Sequence, residues 1–368
     1  MFKKLIWTII IVVILIAIIL SLNNKNVSQP NGPIKIAALL SLTGDASAYG
    51  QNAQRGIQLA VDEFNQKGGV DGRQVDMIYE DTAGDPKKTL SAYQLVTTVD
   101  HVTAVLGPLN QNELSAVIPL IDRDQMPVIS PDYVPVQNRV NIHDPILVWM
   151  DAQIEAERMA RYVFDQGIRK VAVIGSQDNW ESTVSNGFAD AFSVLGGTIT
   201  DREIVLPDSA DMKLPVTKAL ASSPEAVFIG TYYQFVNSTK TIHDLGYGGK
   251  LFGIEVDNYL AQQTAGWVEN LEFIGPDYYS SAFTQDFQKR FAILPGLYAG
   301  QSYDAANILF SFLTKDATQE GIVEQMNDFK SYQGVSGSLE INADGRTTLP
   351  TALFELQNGK VSRISDLK

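Results

Sequence analysis

The feature that most constrains this chain is a recurring unit. A short apolar run is followed by a polar or glycine-containing break, and then by a dozen or so residues with apolar positions at helical spacing. Ile34 to Leu39 is the first such run. After it, Gln51 to Asn65 places Ala53, Ile57, Ala60, Val61 and Phe64 on one helical face, and Gly68–Gly69 stops the helix. Gln74 to Tyr79 is the next strand. Asp85-Pro86 then opens a helix with an N-cap and a proline at the first helical position. Val102 to Leu106, a helix from Glu113 to Arg123, and Pro127 to Ser130 continue the series. Strands separated by helices of this length pair in parallel, as βαβ units.

The unit then starts again. Lys170 to Gly175, Thr198 to Val205, Ala226 to Gly230 and Leu251 to Gly253 read as strands, with helices at Trp180 to Leu195, Asp211 to Ala221 and Val236 to Leu245. At 368 residues, 45% of them apolar, the chain has room for two such α/β lobes, joined near Ile146 to Ala152. The last third departs from the pattern. Phe283 to Phe291 and Tyr303 to Leu313 are helical, while Gly337 to Ile341, a turn at Asp344-Gly345 and Thr351 to Leu356 read as one antiparallel hairpin.

The N-terminus carries a separate message. Leu5 to Leu22 holds no charge, and as a helix it rises about 27 Å, close to the hydrocarbon thickness of a bilayer. No Ala-x-Ala-like site follows, which favours a signal anchor (residues 1–22) over a cleaved signal peptide, with 23–33 as a polar tether. Lys3 and Lys4 keep the N-terminus inside, so the body is expected to be extracytoplasmic, either membrane-anchored or periplasmic.

Composition removes several functions. The chain has a formal net charge of −14, and three of its 28 basic residues lie in the first 33, so the remainder is more acidic still and no nucleic-acid partner is expected. There is no cysteine, hence no disulfide, thiolate metal site or cysteine nucleophile. P-loop, G-x-S-x-G, HExxH and G-x-G-x-x-G patterns are absent, and His101, His143 and His243 stand far apart. The expectation is therefore a protein without catalytic residues, cofactor or metal. Glu80, Asp81 and Asp85 match no metal-ligand spacing and read as a solvated loop plus a helix cap. The stretch from His101 to Leu114 is more promising. Its strand stops at Gly107-Pro108 before a helix, leaving backbone N–H groups at a crevice where open α/β sheets hold ligands. An ordinary βα connection would look the same.

The segments IKIAALLSLTGDASAYG, FNQKGGVDGR, YEDTAGDPKKT, VLGPLNQNELSAV and PVISP, followed by VAVIGSQDNW, AVFIGTYY, LFGIE, AGQSYDAAN and VSGSLEINADG, run in the order and spacing of the leucine/isoleucine/valine-binding protein family, which the chain resembles over nearly everything after the tether. The resemblance implies the type I periplasmic-binding fold. That is two Rossmann-like lobes with parallel central sheets, joined by three hinge crossings near Ile146 to Ala152, Gly275 to Ser281 and Tyr332 to Gly337. Lobe 1 would comprise residues 34–148 plus 280–334, and lobe 2 residues 149–279 plus 335–368.

It also implies a function: an extracytoplasmic receptor that closes on a small polar solute, an amino acid or related amine, and delivers it to the permease of an ABC importer. The alternatives are a sensory ligand-binding protein that couples closure to a separate membrane partner and, less favoured, an anchored enzyme. By position in the family pattern, the ligand residues are Tyr49, Gln111, Asp132, Trp180, Tyr232 and Glu255. Gln111 and Asp132 depart from the groups that hold an amino acid's main chain, and Asp132 would repel a carboxylate while attracting a cation. Glu255 falls on the ammonium-binding carboxylate. Trp180 and Tyr232 are equally explicable as packing under loops.

Overall fold

The computed structural model describes residues 32–44, 46–135, 145–277 and 279–367. The expected anchor at Leu5 to Leu22 lies outside the described residues. Among the described residues, no helix is long and apolar enough to cross a membrane.

Two mainly parallel sheets organise the compact unit Ile34–Lys368. The first holds β1 (Ile34–Leu40), β2 (Val75–Asp81), β3 (Ala104–Leu106), β4 (Val128–Ser130) and β5 (Ile146–Leu147) in the order β2-β1-β3-β4-β5. All four pairings are parallel. The central strands are buried on both faces, which is why they read as unbroken apolar runs rather than alternating ones. Helices α1 (Ser47–Gln66), α2 (Pro86–Thr98) and α3 (Gln111–Asp124) connect them. The N-cap expected at Asp85 is present, its side chain accepting from the backbone N–H of Lys87 and Lys88.

The second sheet has the order β15-β14-β10-β9-β8-β6-β7. Its parallel part is β6 (Lys170–Ser176), β7 (Thr198–Val205), β8 (Ala226–Gly230), β9 (Lys250–Ile254) and β10 (Leu271–Pro276). Helices α4 (Ala152–Asp165), α5 (Asn179–Val194), α6 (Lys213–Ala221), α7 (Phe235–Asp244) and α8 (Asn258–Gln263) alternate with these strands. Two antiparallel strands, β14 (Thr351–Gln357) and β15 (Lys360–Leu367), complete its edge beside β10.

The remaining helices are α9 (Ser281–Phe291), α10 (Ala299–Leu313) and α11 (Gln319–Asp328). α10 lies against α1 so closely that a Cβ on Gly56 would stand 2.0 Å from the Ala299 carbonyl oxygen. Further along the same interface, Phe64 stacks on Phe310 with ring centroids 4.4 Å apart.

The C-terminal hairpin is redrawn. Gly337–Ile341 (β12) does not pair with Thr351 to Leu356. It pairs with Ser331–Gly334 (β11) on one side and Thr347–Thr348 (β13) on the other, forming a separate three-stranded sheet. Leu349 and Pro350 break the extended run, and the chain from Thr351 onward enters the second sheet.

The crossing expected at Tyr332 to Gly337 moves for the same reason. Those residues form a tight β11–β12 turn, with Gly337 at φ +102°, that folds the chain back on itself. The passage to the second sheet is at Leu349–Pro350. There the three passages are tied together by backbone bonds from Asp151 N–H to the Thr347 carbonyl (2.9 Å) and from Asp277 N–H to the Pro350 carbonyl (3.1 Å).

Candidate functional site

A cavity of about 900 Å³ lies between the two sheets, lined by the loops that follow β1, β3, β4, β6, β8, β9 and β10. These are the carboxyl ends of the parallel strands, where chain direction and helix N-termini converge. All six residues singled out from the sequence line it: Tyr49, Gln111 and Asp132 from the first sheet's loops, Trp180, Tyr232 and Glu255 from the second's.

The two sides touch across the cavity. Tyr49 Oη donates to Asp257 Oδ2 at 2.9 Å, and Tyr232 Oη reaches the same oxygen at 3.2 Å. The Tyr49 and Tyr232 rings meet edge-on, 6.2 Å apart. Asp257 is fixed because its other oxygen caps α8 at the Leu260 N–H, 2.8 Å away. A second bridge runs from Asn179 Nδ2 to Asn112 Oδ1 at 2.8 Å.

Glu255 sits at the end of β9 with φ +49°, a left-handed conformation that a non-glycine residue holds only when its surroundings compel it. Trp149 Nε1 donates to Glu255 Oε1 at 2.9 Å, and the Trp149 ring stacks on Tyr298 at 4.7 Å. Behind Glu255 lies Glu155 of α4, fully buried, with neither carboxyl oxygen bonded to a donor elsewhere in the protein. Burial and the neighbouring Glu255 carboxylate push Glu155 well above the usual carboxylate range. Burial also raises Glu255, against the opposing bonds from Glu155 and Trp149. Two neighbouring buried carboxylates repel, so the pair favours holding a proton, and Glu155 is the group shifted further.

Asp132 follows β4 at a turn held by Ser130, whose hydroxyl donates to the Pro108 carbonyl at 2.6 Å and accepts from the Asp132 N–H at 3.2 Å. Burial holds its carboxyl far above the usual range, and the negative charges of Glu255, Glu113 and Asp178 add to the effect. Gln111, at the start of α3, is only 7% exposed, and neither its amide oxygen nor its nitrogen has a partner. Glu181, in the first turn of α5, accepts from the backbone N–H of Tyr232 (2.6 Å) and Tyr233 (3.0 Å), so it organises the loop after β8.

Four residues that matter to this site escaped the sequence reading: Trp149, Glu155, Asp257 and Tyr298. Asp257 had a local signal, since Asp-Asn-Tyr-Leu after a strand is an N-cap pattern. The other three had none. Trp149 lies 106 residues from its partner Glu255.

The chain is similar to proteins of known class. The periplasmic binding protein model matches residues 33–360. The Leu/Ile/Val-binding protein BraC3 of Rhizobium johnstonii is 27% identical over 227 residues, 60% of this chain and 60% of that protein. The Leu/Ile/Val-binding protein homolog 3 of Brucella melitensis is 26% identical over 225 residues, 60% of this chain and 61% of that protein. The chain thus spans about three fifths of the length of these relatives. Among solved structures, the leucine-binding protein LivK of Thermotoga maritima superposes with a TM-score of 0.80 at 21% identity, covering 91% of this chain and 99% of that one. LivJ of Streptococcus pneumoniae, solved in complex with isoleucine, gives 0.77 at 21% identity, covering 90% and 99%. At such identities the structures speak for the fold alone: it is the type I periplasmic-binding fold. Together with the family match across nearly the whole described chain, this establishes that the protein belongs to the periplasmic binding protein family.

Proposed function

We propose that this protein is a solute receptor of an ABC importer, capturing an amino acid or related amine between its two lobes and presenting the closed form to a permease. The family is one of solute-binding proteins rather than enzymes, and it implies an extracytoplasmic location. The observation that carries the reading is the cavity itself, lined from both sheets by polar and aromatic side chains at the carboxyl ends of the strands. The relatives named as Leu/Ile/Val-binding proteins support the same class of ligand.

In this reading the lobes comprise 34–148 plus 280–348 and 149–279 plus 351–368, the last boundary lying at Leu349–Pro350 rather than at 334–335, and the ligand is held by Tyr49, Gln111, Asp132, Trp180, Tyr232 and Glu255. The mechanism is hinge closure. A solute that touches only one side binds the open and closed forms equally and shifts nothing, whereas one that touches both sides pulls the equilibrium closed. N-terminal anchoring of the receptor to the membrane belongs to the same proposal.

The test is calorimetry against amino acids, amines, polyamines and carboxylates, with Glu255→Ala and Trp180→Ala as probes of the site. Binding of an amino acid or amine that both variants weaken supports the proposal. Tight binding of a simple dicarboxylate alone, or affinity unaffected in both variants, refutes it.

A further inference from the structure

We infer that the cleft is built for an organic cation that carries no carboxylate, its positive group held between Asp132 on one side and Glu255 on the other. The inference rests on the receptor reading above and narrows its ligand. Two observations carry it, the charge of the lining and an unmet bonding demand, and the capping of three helix N-termini agrees with them.

The first is charge. The cavity is lined by Asp132, Asp178, Glu181, Glu255, Asp257 and Asp277, and among the described lining residues there is no lysine, arginine or histidine. Four of these acids already serve the protein. Asp178 caps α5, Glu181 holds two backbone N–H groups, Asp257 caps α8 and takes two tyrosine hydroxyls, and Asp277 pairs with Arg363. Asp132 and Glu255 each hold an internal donor on one oxygen, the Tyr133 N–H (2.7 Å) on Asp132 Oδ1 and Trp149 Nε1 (2.9 Å) on Glu255 Oε1. Both line the cavity, Asp132 from the first sheet's side and Glu255 from the second's.

The capping concerns the usual anion sites. Six helices, α1, α3, α5, α7, α8 and α10, begin at the cavity wall, and a helix N-terminus normally offers free N–H groups and a positive dipole end to a carboxylate. Of these, α3, α5 and α8 are capped by their own side chains, while α1, α7 and α10 carry no side-chain cap. Asn110 Oδ1 takes the Asn112 N–H (2.8 Å), Asp178 Oδ1 the Trp180 N–H (3.0 Å), and Asp257 Oδ1 the Leu260 N–H (2.8 Å). Two of the three caps are carboxylates, which also cancel the dipole at short range.

The second observation is an unmet bonding demand. The Gln111 amide is buried in the cavity wall with both ends unpartnered, a costly arrangement unless a ligand completes it. Its oxygen can accept from an ammonium, while its nitrogen needs an acceptor, which a hydroxyl, ether or carbonyl oxygen elsewhere on the solute would supply. The rings of Tyr49, Trp149, Trp180, Tyr232 and Tyr298 also line the cavity, and a cation seated over an aromatic face is attracted to it.

Three probes with one carbon skeleton test this: leucine, isoamylamine (leucine without the carboxylate) and isocaproate (leucine without the amine), with putrescine and choline as further cations. The expected result is that at least one cation binds tenfold or more tightly than leucine, and that isocaproate does not bind. Leucine or isocaproate binding more tightly than every cation would overturn the inference. Asp132→Asn is expected to weaken the cation roughly ten- to a hundredfold, the loss of one charge-assisted contact. Because it removes a buried acid, it should not lower the thermal midpoint of the free protein. An unchanged affinity would overturn the placement.

Mass spectrometry of solute retained by the purified protein separates the two levels of the argument. A retained carboxylate-bearing solute overturns the cation inference and leaves the receptor reading standing. A protein that retains nothing and binds no probe of any class overturns both.

Discussion

The substitution Tyr49→Phe isolates the energy of closure. The hydroxyl it removes donates to Asp257 Oδ2 at 2.9 Å, joining α1, on the first sheet's side, to the cap of α8, on the second's. A hydrogen bond to an ionised acceptor contributes about 1.5–3 kcal/mol. Asp257 keeps the Tyr232 hydroxyl at 3.2 Å and the Leu260 N–H at 2.8 Å, so it is not orphaned and the low end applies, about 1.5 kcal/mol. Since the bond spans the cleft, the whole loss falls on the closed form. A ligand that needs closure should therefore bind about tenfold more weakly.

Calorimetry reads the affinity, and small-angle scattering reads the ligand-induced compaction. Tyr79→Phe, which removes a 3.4 Å bond to Gln58 within the first lobe, is the control and should leave both unchanged. Because Tyr49 also lines the cavity, a double-mutant cycle with Asp257→Asn separates closure from direct ligand contact. A coupling energy near zero, or Tyr49→Phe binding within twofold of the parent, would refute the reasoning.

Other outcomes follow from the same geometry. Trp149→Phe keeps an aromatic ring against Tyr298 but removes the donor to Glu255, and should cost about 1.5–3 kcal/mol in urea unfolding; a loss below 0.5 kcal/mol, roughly, would mean that water replaces the donor. Gly56→Ala places a methyl group against the Ala299 carbonyl, a backbone atom that cannot swing away, so α1 and α10 must part at a cost of about 1–3 kcal/mol; an unchanged melting temperature would show that the helices slide freely. Asp304, buried and accepting from the N–H groups of Val335 and Ser336, is raised to about 6 by its burial. Its folded form holds a proton that the unfolded form releases, so its contribution is present below about pH 4 and is lost as pH rises through about 6, up to roughly 3 kcal/mol in all. Asp304→Asn should flatten that part of the stability–pH curve, and an unaltered curve between those pH values would refute the assignment.

The parallel strands were legible because burial on both faces leaves runs such as Lys170–Ser176 and Ala226–Gly230 with hardly a polar residue. The helix Ala152–Asp165 carries its cap at Asp151 but follows a two-residue strand, β5, too short to announce a βαβ unit. The hairpin was misdrawn because strand propensity runs on through Gly337 to Leu356, while partner choice is settled by Pro350 and by the open edge of β10, which local sequence does not display. The cavity residues found from the sequence are those with a fixed offset from a strand end. Trp149, Glu155 and Tyr298 act through partners remote in the chain, so no window of sequence contains the pair.

The order in which these strands and helices are synthesised bears on how the molecule can be made. By residue 276 a growing chain holds every parallel strand of both sheets, yet β10 is still an open edge, and the face of α1 that Ala299–Leu313 will cover is bare. The partners that finish the job lie at Ala299–Leu313 and Thr351–Leu367, so both halves wait on the last fifth of the polypeptide. Neither half can complete its native packing until those segments are made, and a ribosome-bound or truncated chain ending before Thr351 leaves the β10 edge without its β14 neighbour.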